Sequence, residues 1–539
     1  MRERGERKNL FTVDVLNQQL SKDPINSLFD QTKDSYRTDK IFDPNERINL
    51  RPATVEDIVK RLQAYNLSDT SEDVKGIAFE RFLGRTFRGE IGQFFTPRSI
   101  VEFMIRMVEP KENDVICDPA SGSGGFLIRA FELIREQIAA DADREYKEFA
   151  AKLETQKLTE AKKAELLRDK WDELQVQLDP VSDPARPASE RQASRIWHLA
   201  NRCIYGTDAN DRMARTSKMN MIMHGDGHGG VHHHNGFLNV NGIFEGRFDI
   251  IVTNPPFGSN VEPSDVILEE QIKVPSEARE RYLLEYGDAY KRAIERTEKA
   301  IGSSIGKLFQ LPAKNAKGEV TGKIKTEVLF IERCLDLLKP GGRLGIVLPE
   351  GIFNNPSLAA VREFSEDRAY IRAVVSLPQE TFSSSGASVK ASLLFMQKFT
   401  EQEQIRFDST KQGALLETRA KYAAEIGEET ARIEALVEEA KKRRDAEARK
   451  TAQKELSDYI KRMEERIKTE ARALLKERFS YPIFLYEAEK VGISATGEED
   501  VNELYPCKNF PAELGKSCLE SFREFRENPE AFMLAEVGA

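Results

Sequence analysis

The sequence predicts an α/β fold with a doubly wound, mostly parallel sheet, preceded by a helical region and followed by a region of long helices. Short apolar runs typical of buried strands alternate with amphipathic segments typical of helices, which favours an open sheet covered on both faces. A Gly-rich stretch follows the first strand, and a Pro-rich turn follows a later one. The candidate strands are Val115–Cys117, Cys203–Thr207, Phe248–Thr253, Arg343–Leu348, Ile371–Leu377 and Ala391–Gln397.

Apolar residues at helical spacing predict a helix between most of these strands. The last two candidate strands have no long helix between them, so we expect them to form an antiparallel hairpin at the end of the sheet. The predicted helices are Ser99–Val108, Gly124–Ile138, Ala209–Met223 and Thr326–Leu338.

With 539 residues the chain is too long for a single core. We predict a helical region over residues 1–90 and an α/β domain over residues 91–400. A helical insertion at 141–195 and a second insertion at 260–325 interrupt the α/β domain. The lysines of the second insertion favour a solvated loop over phosphate contact. Residues 401–539 are predicted to form a helical or coiled-coil region for subunit docking.

The net charge of −9 argues against a uniformly basic nucleic-acid binder but leaves room for a local basic groove. Five scattered cysteines without a CxxC pair fit a reducing cytoplasm. No apolar run reaches membrane-spanning length, and the amino terminus lacks the apolar stretch of a signal peptide. That terminus is typical of a linker inside a longer protein, which predicts a fragment or a split version of one.

The segment Glu428–Tyr481 contains neither glycine nor proline and predicts long helix. The charged stretch Lys441–Lys450 is the place where we expect a break or a hairpin. A segment of this kind more often docks a partner or packs back on itself than carries chemistry. Its apolar seam is close to coiled-coil spacing and comprises Leu456, Ile460, Met463, Ile467, Ala471 and Leu474.

The turn Asn254-Pro255-Pro256-Phe257 follows the strand Phe248–Thr253. Its two prolines stiffen the chain and remove two backbone donors. Asn254 Oδ1 and the Pro255 carbonyl can accept the two hydrogens of an exocyclic amine, and the Phe257 ring can stack on a planar base. Such a site would direct the amine nitrogen at a methyl donor. A plain Pro-rich bend after a strand explains these four residues equally well when they are taken alone.

The stretch Asp118–Phe126 follows the first strand and opens a helix, where small residues let a ligand approach the backbone. Such a turn can serve a dinucleotide, a phosphate or S-adenosylmethionine. Asp118 disfavours a phosphate and suits the cationic end of a methionine moiety. Asp208 ends the second strand, where an acidic residue commonly holds a ribose diol. A helix N-cap at Asp208 is compatible with that role.

Two further stretches have both a structural and a functional explanation. Gln93–Pro97 precedes the Gly-rich turn, and its phenylalanines and Thr96-Pro97 fit core packing and a helix start. Five histidines cluster within eleven positions, where neighbouring glycines and the lack of nearby cysteines favour a flexible surface loop over a metal site. These histidines are His224, His228, His232, His233 and His234.

Taken in order, Gln93–Pro97, Asp118–Phe126, Asp208 and Asn254–Phe257 resemble the motif series of amino-type DNA methyltransferases. The arrangement resembles the modification (M) subunits of type I restriction-modification systems, an N6-adenine methyltransferase family with the gamma-group motif order. The resemblance is strong over residues 50–400. It extends to the segments Thr326–Leu338, Pro340–Gly345, Leu348–Gly351, Leu377-Pro378, Tyr481–Phe484 and Val491–Gly497.

This resemblance implies a sheet of the S-adenosylmethionine-dependent methyltransferase type, that cofactor, and methylation of a flipped adenine in double-stranded DNA. It also implies a hetero-oligomer with a separate specificity subunit and a place for a restriction or translocase subunit. No metal is implied. The implied catalytic residues are Asn254, Pro255, Pro256 and Phe257, and the implied cofactor-binding residues are Gln93, Phe95, Thr96, Asp118, Ala120, Gly122, Gly124 and Asp208.

The sequence departs from the family pattern at three points. Ser121 stands where the family often has cysteine, and the amino-terminal helical region is short. Asn235 or Asp226 is the candidate for the acidic position after the third strand. Two other functions remain open: methylation of a ribosomal RNA base or a protein glutamine, and a catalytically silent, DNA-associated scaffold.

Overall fold

A computed structural model describes residues 12–14, 23–35, 42, 45–64, 96–179, 194–224, 230–383 and 389–532. Gln93, Phe95 and Asp226 lie outside the described residues. The first described helices are α1 (Pro24–Ser35) and α2 (Pro52–Leu62). Val55 and Val59 of α2 are buried against Ile25 of α1, as their helical spacing predicts.

An eight-stranded sheet forms the centre of the described structure, and it confirms the predicted fold class. The eight strands are β1 (Ile116–Asp118), β2 (Ile204–Asp208), β3 (Val231–His233), β4 (Phe248–Thr253), β7 (Leu338–Pro349), β8 (Ala369–Ser376), β9 (Ala391–Lys398) and β10 (Phe484–Glu487). Their order in the sheet is β3-β2-β1-β4-β7-β9-β8-β10, in which β9 runs antiparallel to β7 and β8 and the other neighbours are parallel. The predicted terminal hairpin is therefore present.

Both faces of the sheet are buried, as expected for parallel strands covered by helices. In β4, Ile250 and Val252 belong to one apolar cluster and Ile251 to the other. The same split separates Ile116 from Cys117 in β1. Because neighbouring side chains of a strand point to opposite faces, the continuous apolar runs of the sequence correspond to two-sided burial.

The four helices that cover the sheet match the predicted segments within a few residues, except that the second continues past its predicted end at Ile138 to Glu154. They are α3 (Arg98–Val108), α4 (Gly125–Glu154), α7 (Asp211–Met223) and α10 (Thr326–Leu337). Helix α3 buries seven of its eleven residues in the cluster that also contains α4. The shorter helical segments around the sheet are α6 (Arg195–His198), the π-helix Leu199–Cys203, α11 (Gly351–Asn354), the 3-10 turn Pro356–Leu358 and α12 (Ala359–Glu366).

The two predicted insertions contain regular structure. The first continues α4 to Glu154 and then forms α5 (Glu160–Leu178), so its described part is helical as expected. The second was predicted to carry its lysines in a solvated loop, and these lysines are exposed, although parts of the insertion form regular structure. It contains β5 (Asn260–Val261), α8 (Glu269–Ile272), α9 (Ser276–Glu298), the 3-10 turn Ile305–Leu308 and β6 (Ile324–Lys325), with β5 and β6 paired.

The histidine cluster was expected to be a flexible loop, and this is corrected for the part that the structure describes. His232 and His233 lie in β3, which pairs with β2 at the edge of the sheet. With only three residues, β3 is too short for its sequence to show a recognisable strand pattern. Among the described residues, no group of three or more His, Cys, Asp or Glu side chains could hold a metal ion.

The charged segment after residue 400 forms an antiparallel hairpin of two long helices. Helix α13 (Glu401–Lys442) and helix α14 (Ala446–Arg478) meet at a turn where Arg444 has a φ of 56°. This turn lies inside the predicted break. Met463, Ile467 and Ala471 of the predicted seam are buried, whereas Ile460 is exposed. None of the described helices combines the length and the apolar character that a membrane span requires.

The chain returns to the sheet after the hairpin, which its sequence did not predict. β10 extends the sheet beside β8, so part of residues 401–539 belongs to the α/β core. Phe484 of β10 packs in the same apolar cluster as α3 and α4. The remaining elements are β11 (Val491–Ile493) paired with β12 (Glu499–Asn502), the 3-10 turn Ala512–Leu514, α15 (Cys518–Glu527) and the 3-10 turn Pro529–Phe532.

Candidate active site

The carboxyl ends of β1, β2 and β4 meet at one edge of the sheet, beside a cavity of about 690 Å³. β1 lies where the chain order of the sheet reverses, and this is where open α/β sheets bind ligands. The cavity brings together most of the predicted residues, although they are far apart in sequence. Those that line it are Thr96, Asp118, Ala120, Gly122, Asp208, Asn254, Pro255, Pro256 and Phe257.

The Gly-rich turn uses its two glycines differently. Gly122 has a φ of +51°, and a Cβ there would meet no atom within 4 Å, so a ligand can approach its backbone. Its N–H donates to Asp208 Oδ2 over 3.0 Å. Gly124 has a φ of +83°, and a Cβ there would lie 2.5 Å from Ser217 Oγ of α7. The structure therefore places Gly124 against α7, while Gly122 faces the cavity.

Asp118 ends β1 with its carboxyl group almost fully buried, at 1% exposure. Its Oδ1 accepts hydrogen bonds from Thr253 Oγ1 at 2.7 Å and from the Ala120 N–H at 3.0 Å. Burial raises the pKa of Asp118 to about 7, and the nearby Asp208 carboxylate adds to this increase. A cationic ligand group would favour the ionised form and lower that pKa.

Asp208 ends β2 and lies within hydrogen-bond reach of two backbone amides. Oδ2 accepts from Gly122 and Oδ1 accepts from Asn210 over 2.8 Å. The N-cap of α7 is Asn210, whose side chain accepts from the Met213 N–H. Asn210 rather than Asp208 therefore performs the capping.

The Asn254 side chain is fixed by one hydrogen bond and leaves one buried acceptor unpaired. Its Nδ2 donates to Thr96 Oγ1 over 3.0 Å, which connects this turn to the residue before Pro97. Pro97 is the N-cap of α3 and precedes its first helical residue. Asn254 Oδ1 is buried and has no hydrogen-bond partner among the described residues. An unpaired buried oxygen is costly, and an N–H donor of a ligand would satisfy it.

Other buried acceptors around the cavity fit a polar ligand. Ser121 Oγ and Asn220 Oδ1 line the cavity and have no hydrogen-bond partner in the described chain. Asn235 follows β3 and lines the cavity, with Oδ1 accepting from the Phe237 N–H. Of the two candidates for the position after the third strand, Asn235 is the one that the structure describes. These residues fit S-adenosylmethionine, although their individual roles stay predictions.

Several residues that line the cavity were not singled out from the sequence. Phe382 follows β8, and Tyr505 comes from the segment between β12 and α15. Arg129 of α4 is ion-paired with Glu102 of α3, and both line the cavity. The Leu377-Pro378 motif could have drawn attention to Phe382, but no local pattern indicates Tyr505.

The sheet order and the cavity beside β1 define the class: the fold is of the S-adenosylmethionine-dependent methyltransferase type. The chain belongs to the N-6 DNA methylase family, whose model matches residues 70–163, 190–282 and 311–472. This match covers more than half of the chain and includes the Gly-rich turn, Asp208 and the Asn254–Phe257 turn.

The curated relatives are methylase subunits of type I restriction enzymes. The chain is 21% identical to the EcoEI methylase subunit of Escherichia coli over 353 residues, 65% of this chain and 52% of that one. It is 22% identical to the StySPI methylase subunit of Salmonella potsdam over 314 residues, 57% of this chain and 41% of that one. The chain therefore spans about half the length of these relatives, or less.

A solved structure, that of the EcoKI M protein, also matches. The sequence identity is 19%, the TM-score is 0.34, and the match covers 59% of this chain and 46% of that one.

Proposed function

We propose that the protein is the modification subunit of a type I restriction-modification system and methylates N6 of adenine in double-stranded DNA. The observation that carries this proposal is the unpaired, buried Oδ1 of Asn254 at the cavity of an N-6 DNA methylase fold. A carboxamide oxygen in this place accepts a hydrogen bond from an exocyclic amine. Since the amine of a stacked base cannot reach such a cavity, the adenine must be flipped out of the duplex.

Two sets of residues at the strand ends would have separate roles, one in binding the cofactor and the other in binding the adenine. Asp118, Gly122 and Thr96 would hold the methionine part of S-adenosylmethionine, and Asp208 would hold its ribose. When bound, S-adenosylmethionine would supply a sulfonium methyl group whose carbon the amine nitrogen can attack directly, with the neutral thioether S-adenosylhomocysteine as the leaving group. Asn254 Oδ1 and the Pro255 carbonyl accept the amine hydrogens and orient the nitrogen lone pair. Phe257, half-buried against the apolar core, stacks on the base.

Catalysis by this arrangement is mainly alignment, because the reaction needs no strong base before attack. The adenine nitrogen loses its extra proton to solvent after transfer. Phe257 and the early position of Gln93–Pro97 favour DNA adenine over a ribosomal RNA base or a protein glutamine. The intact Asn254 turn and Gly-rich turn argue against a catalytically silent scaffold.

The decisive variant is Asn254→Ala. It removes both the amine acceptor and the bond to Thr96, so we expect methyl transfer to fall at least about 100-fold while S-adenosylmethionine still binds. Transfer is measured with labelled methyl on DNA, ribosomal RNA and protein substrates, and binding is measured by calorimetry. Asn315→Ala, in an exposed turn of the second insertion, is the control and should behave like wild type.

Three outcomes would contradict parts of this proposal. Near-wild-type transfer by Asn254→Ala would refute the role of the turn. Preferred labelling of ribosomal RNA or protein would change the substrate. Failure of the wild-type protein to bind S-adenosylmethionine would favour a scaffold.

The assembly is proposed from the helical hairpin α13–α14. At about 1.5 Å per residue, α13 is about 63 Å long, and it exposes Ile405 and Leu416 at 69% and 59%. We propose that a separate specificity subunit docks on this hairpin and supplies DNA sequence recognition in a cytoplasmic hetero-oligomer, which leaves a place for a restriction or translocase subunit. If the purified chain alone methylated one defined sequence, this part of the proposal would be wrong.

A further inference from the structure

Thr253, the last residue of β4, connects the two halves of the cavity. It is fully buried, and its Oγ1 donates to Asp118 Oδ1 over 2.7 Å. The next residue, Asn254, donates to Thr96. The side chains of Thr253 and Asn254 thus tie the end of β4 to the end of β1 and to the start of α3.

The hydroxyl bond lies where the sheet no longer holds these two strands together. Backbone pairing of β1 with β4 runs through Ile116–Ile250 and ends at Cys117–Ile251. On its other side, β4 stays paired with β7 as far as Thr253 and Ile346. Beyond Cys117 and Ile251, the Thr253–Asp118 hydrogen bond spans the separation that opens the cavity.

We propose that Thr253 is a positioning residue that orients the ionised Asp118 carboxylate toward a cationic ligand group and fixes the Asn254 turn relative to it. This inference rests on the proposed function, because it sets the geometry between the methyl-donor site and the acceptor site. A valine has the shape of threonine and favours strands, so packing alone does not require a hydroxyl here. A buried hydroxyl is favourable only with a partner, and Asp118 is the partner.

The groups around Asp118 determine how readily its carboxyl group ionises, and the Thr253 hydroxyl is one of them. The Asp208 carboxylate opposes ionisation of Asp118, and the Cys117 and Cys334 thiols also lie near it. Burial raises the pKa of both thiols, so they remain neutral. The Thr253 hydroxyl and the Ala120 N–H favour the charged carboxylate.

The test compares Thr253→Val, which removes the hydroxyl and keeps the shape, with Thr253→Ser, which keeps the hydroxyl. Calorimetric titration with S-adenosylmethionine is run from about pH 6 to about pH 8.5. Without the hydroxyl the Asp118 pKa rises further, so less carboxylate is available to a cation near neutral pH. We expect Thr253→Val to bind about tenfold more weakly near pH 7 and to approach wild type at the alkaline end. Thr253→Ser should follow wild type.

A double-mutant cycle separates this role from packing. If Thr253 acts through Asp118, Thr253→Val should not weaken binding further in an Asp118→Asn background. A Thr253→Val protein with the pH dependence of wild type would overturn the inference, and so would a Thr253→Ser protein as weak as Thr253→Val. Should Thr253→Val fail to fold, the serine variant and Thr253→Ala provide the same comparison.

The binding cycle does not depend on which acceptor is methylated. If wild type labels no adenine in DNA while the cycle gives the expected coupling, the proposed function fails and the inference on Thr253 stands. If adenine is labelled and no coupling is found, only the inference fails.

Discussion

The Asp118 carboxyl group is deeply buried at the end of β1, where the cationic end of the proposed cofactor would lie. Its pKa of about 7 lies above its ordinary value of 3.8 because burial disfavours the charge. Its contribution to stability is therefore fully present below about pH 4 and is lost as the pH rises through 7. At the residue scale, the site keeps a carboxylate that is costly to the free protein and useful to a cationic ligand.

A pH-dependent affinity follows from this carboxyl group. S-adenosylmethionine should bind more tightly as the pH rises through 7, because its cationic end needs ionised Asp118. In Asp118→Asn we expect weaker binding, by about tenfold at alkaline pH, and little remaining dependence on pH. Calorimetry across this range tests it, with the exposed Asp288→Asn of α9 as the control. An unchanged pH profile in Asp118→Asn would assign the dependence to another group.

Helix α10 shows how one element fixes the cavity from the other face of the sheet. Arg333 of α10 is almost fully buried and donates three hydrogen bonds of 2.8 Å, to the Gly236 and Leu238 carbonyls and to Asn239 Oδ1. Burial lowers the pKa of its guanidinium. Since Gly236 and Phe237 line the cavity, α10 holds the loop after β3 in its place.

Replacing Arg333 by lysine tests this function of α10. A single ammonium group cannot reproduce the planar guanidinium geometry, so at least one buried acceptor loses its partner. We expect Arg333→Lys to lower the melting temperature by several degrees and to weaken S-adenosylmethionine binding by about tenfold. Arg292→Lys, on an exposed arginine of α9, is the control and should change neither quantity. Wild-type binding by Arg333→Lys would show that the loop holds its shape without α10.

At the scale of the whole molecule, the helical hairpin projects from a core that the chain re-enters afterwards. Arg472 of α14 pairs with Glu366 and Asp367 and ties the hairpin base to the end of α12, just before β8. Beyond it, β10 joins β8, and Arg526 of α15 pairs with Glu109 at the end of α3. The hairpin can therefore dock a partner while its base and the segment after it complete the core.

Shortening the hairpin should separate docking from cofactor binding. Tyr459 OH donates to the Glu425 carbonyl over 3.3 Å, so a short Gly/Ser loop can join these positions in place of residues 426–458. We expect this variant to keep its affinity for S-adenosylmethionine and to lose assembly with the specificity subunit, as measured by calorimetry and co-purification. A control that replaces only Arg443–Asp445 at the tip should still assemble. Assembly by the shortened variant would place the docking surface elsewhere.

The sequence predicted those parts of the fold that are determined by residues close together in the chain. The apolar run of β4 and the prolines after it define a strand and its turn, and the turn at Gly122 likewise follows from its residues. The insertion at 260–325 was harder, because α9 is stabilised by a small cluster with Phe244 rather than by a strong pattern of its own. β3 and β10 are short edge strands, and their pairing depends on neighbours that the local sequence does not reveal.

The sequence by itself determined the alternating fold, the Gly-rich turn, the acid at the end of β2 and the Asn254–Phe257 turn, because propensity, apolar spacing and turn chemistry act over a few residues. Only the tertiary structure decided which of these residues meet. The bond from Thr253 to Asp118 crosses 135 positions, and Tyr505 reaches the cavity from the far end of the chain. Such contacts arise from the packing of strands and helices, and packing depends on the whole chain at once.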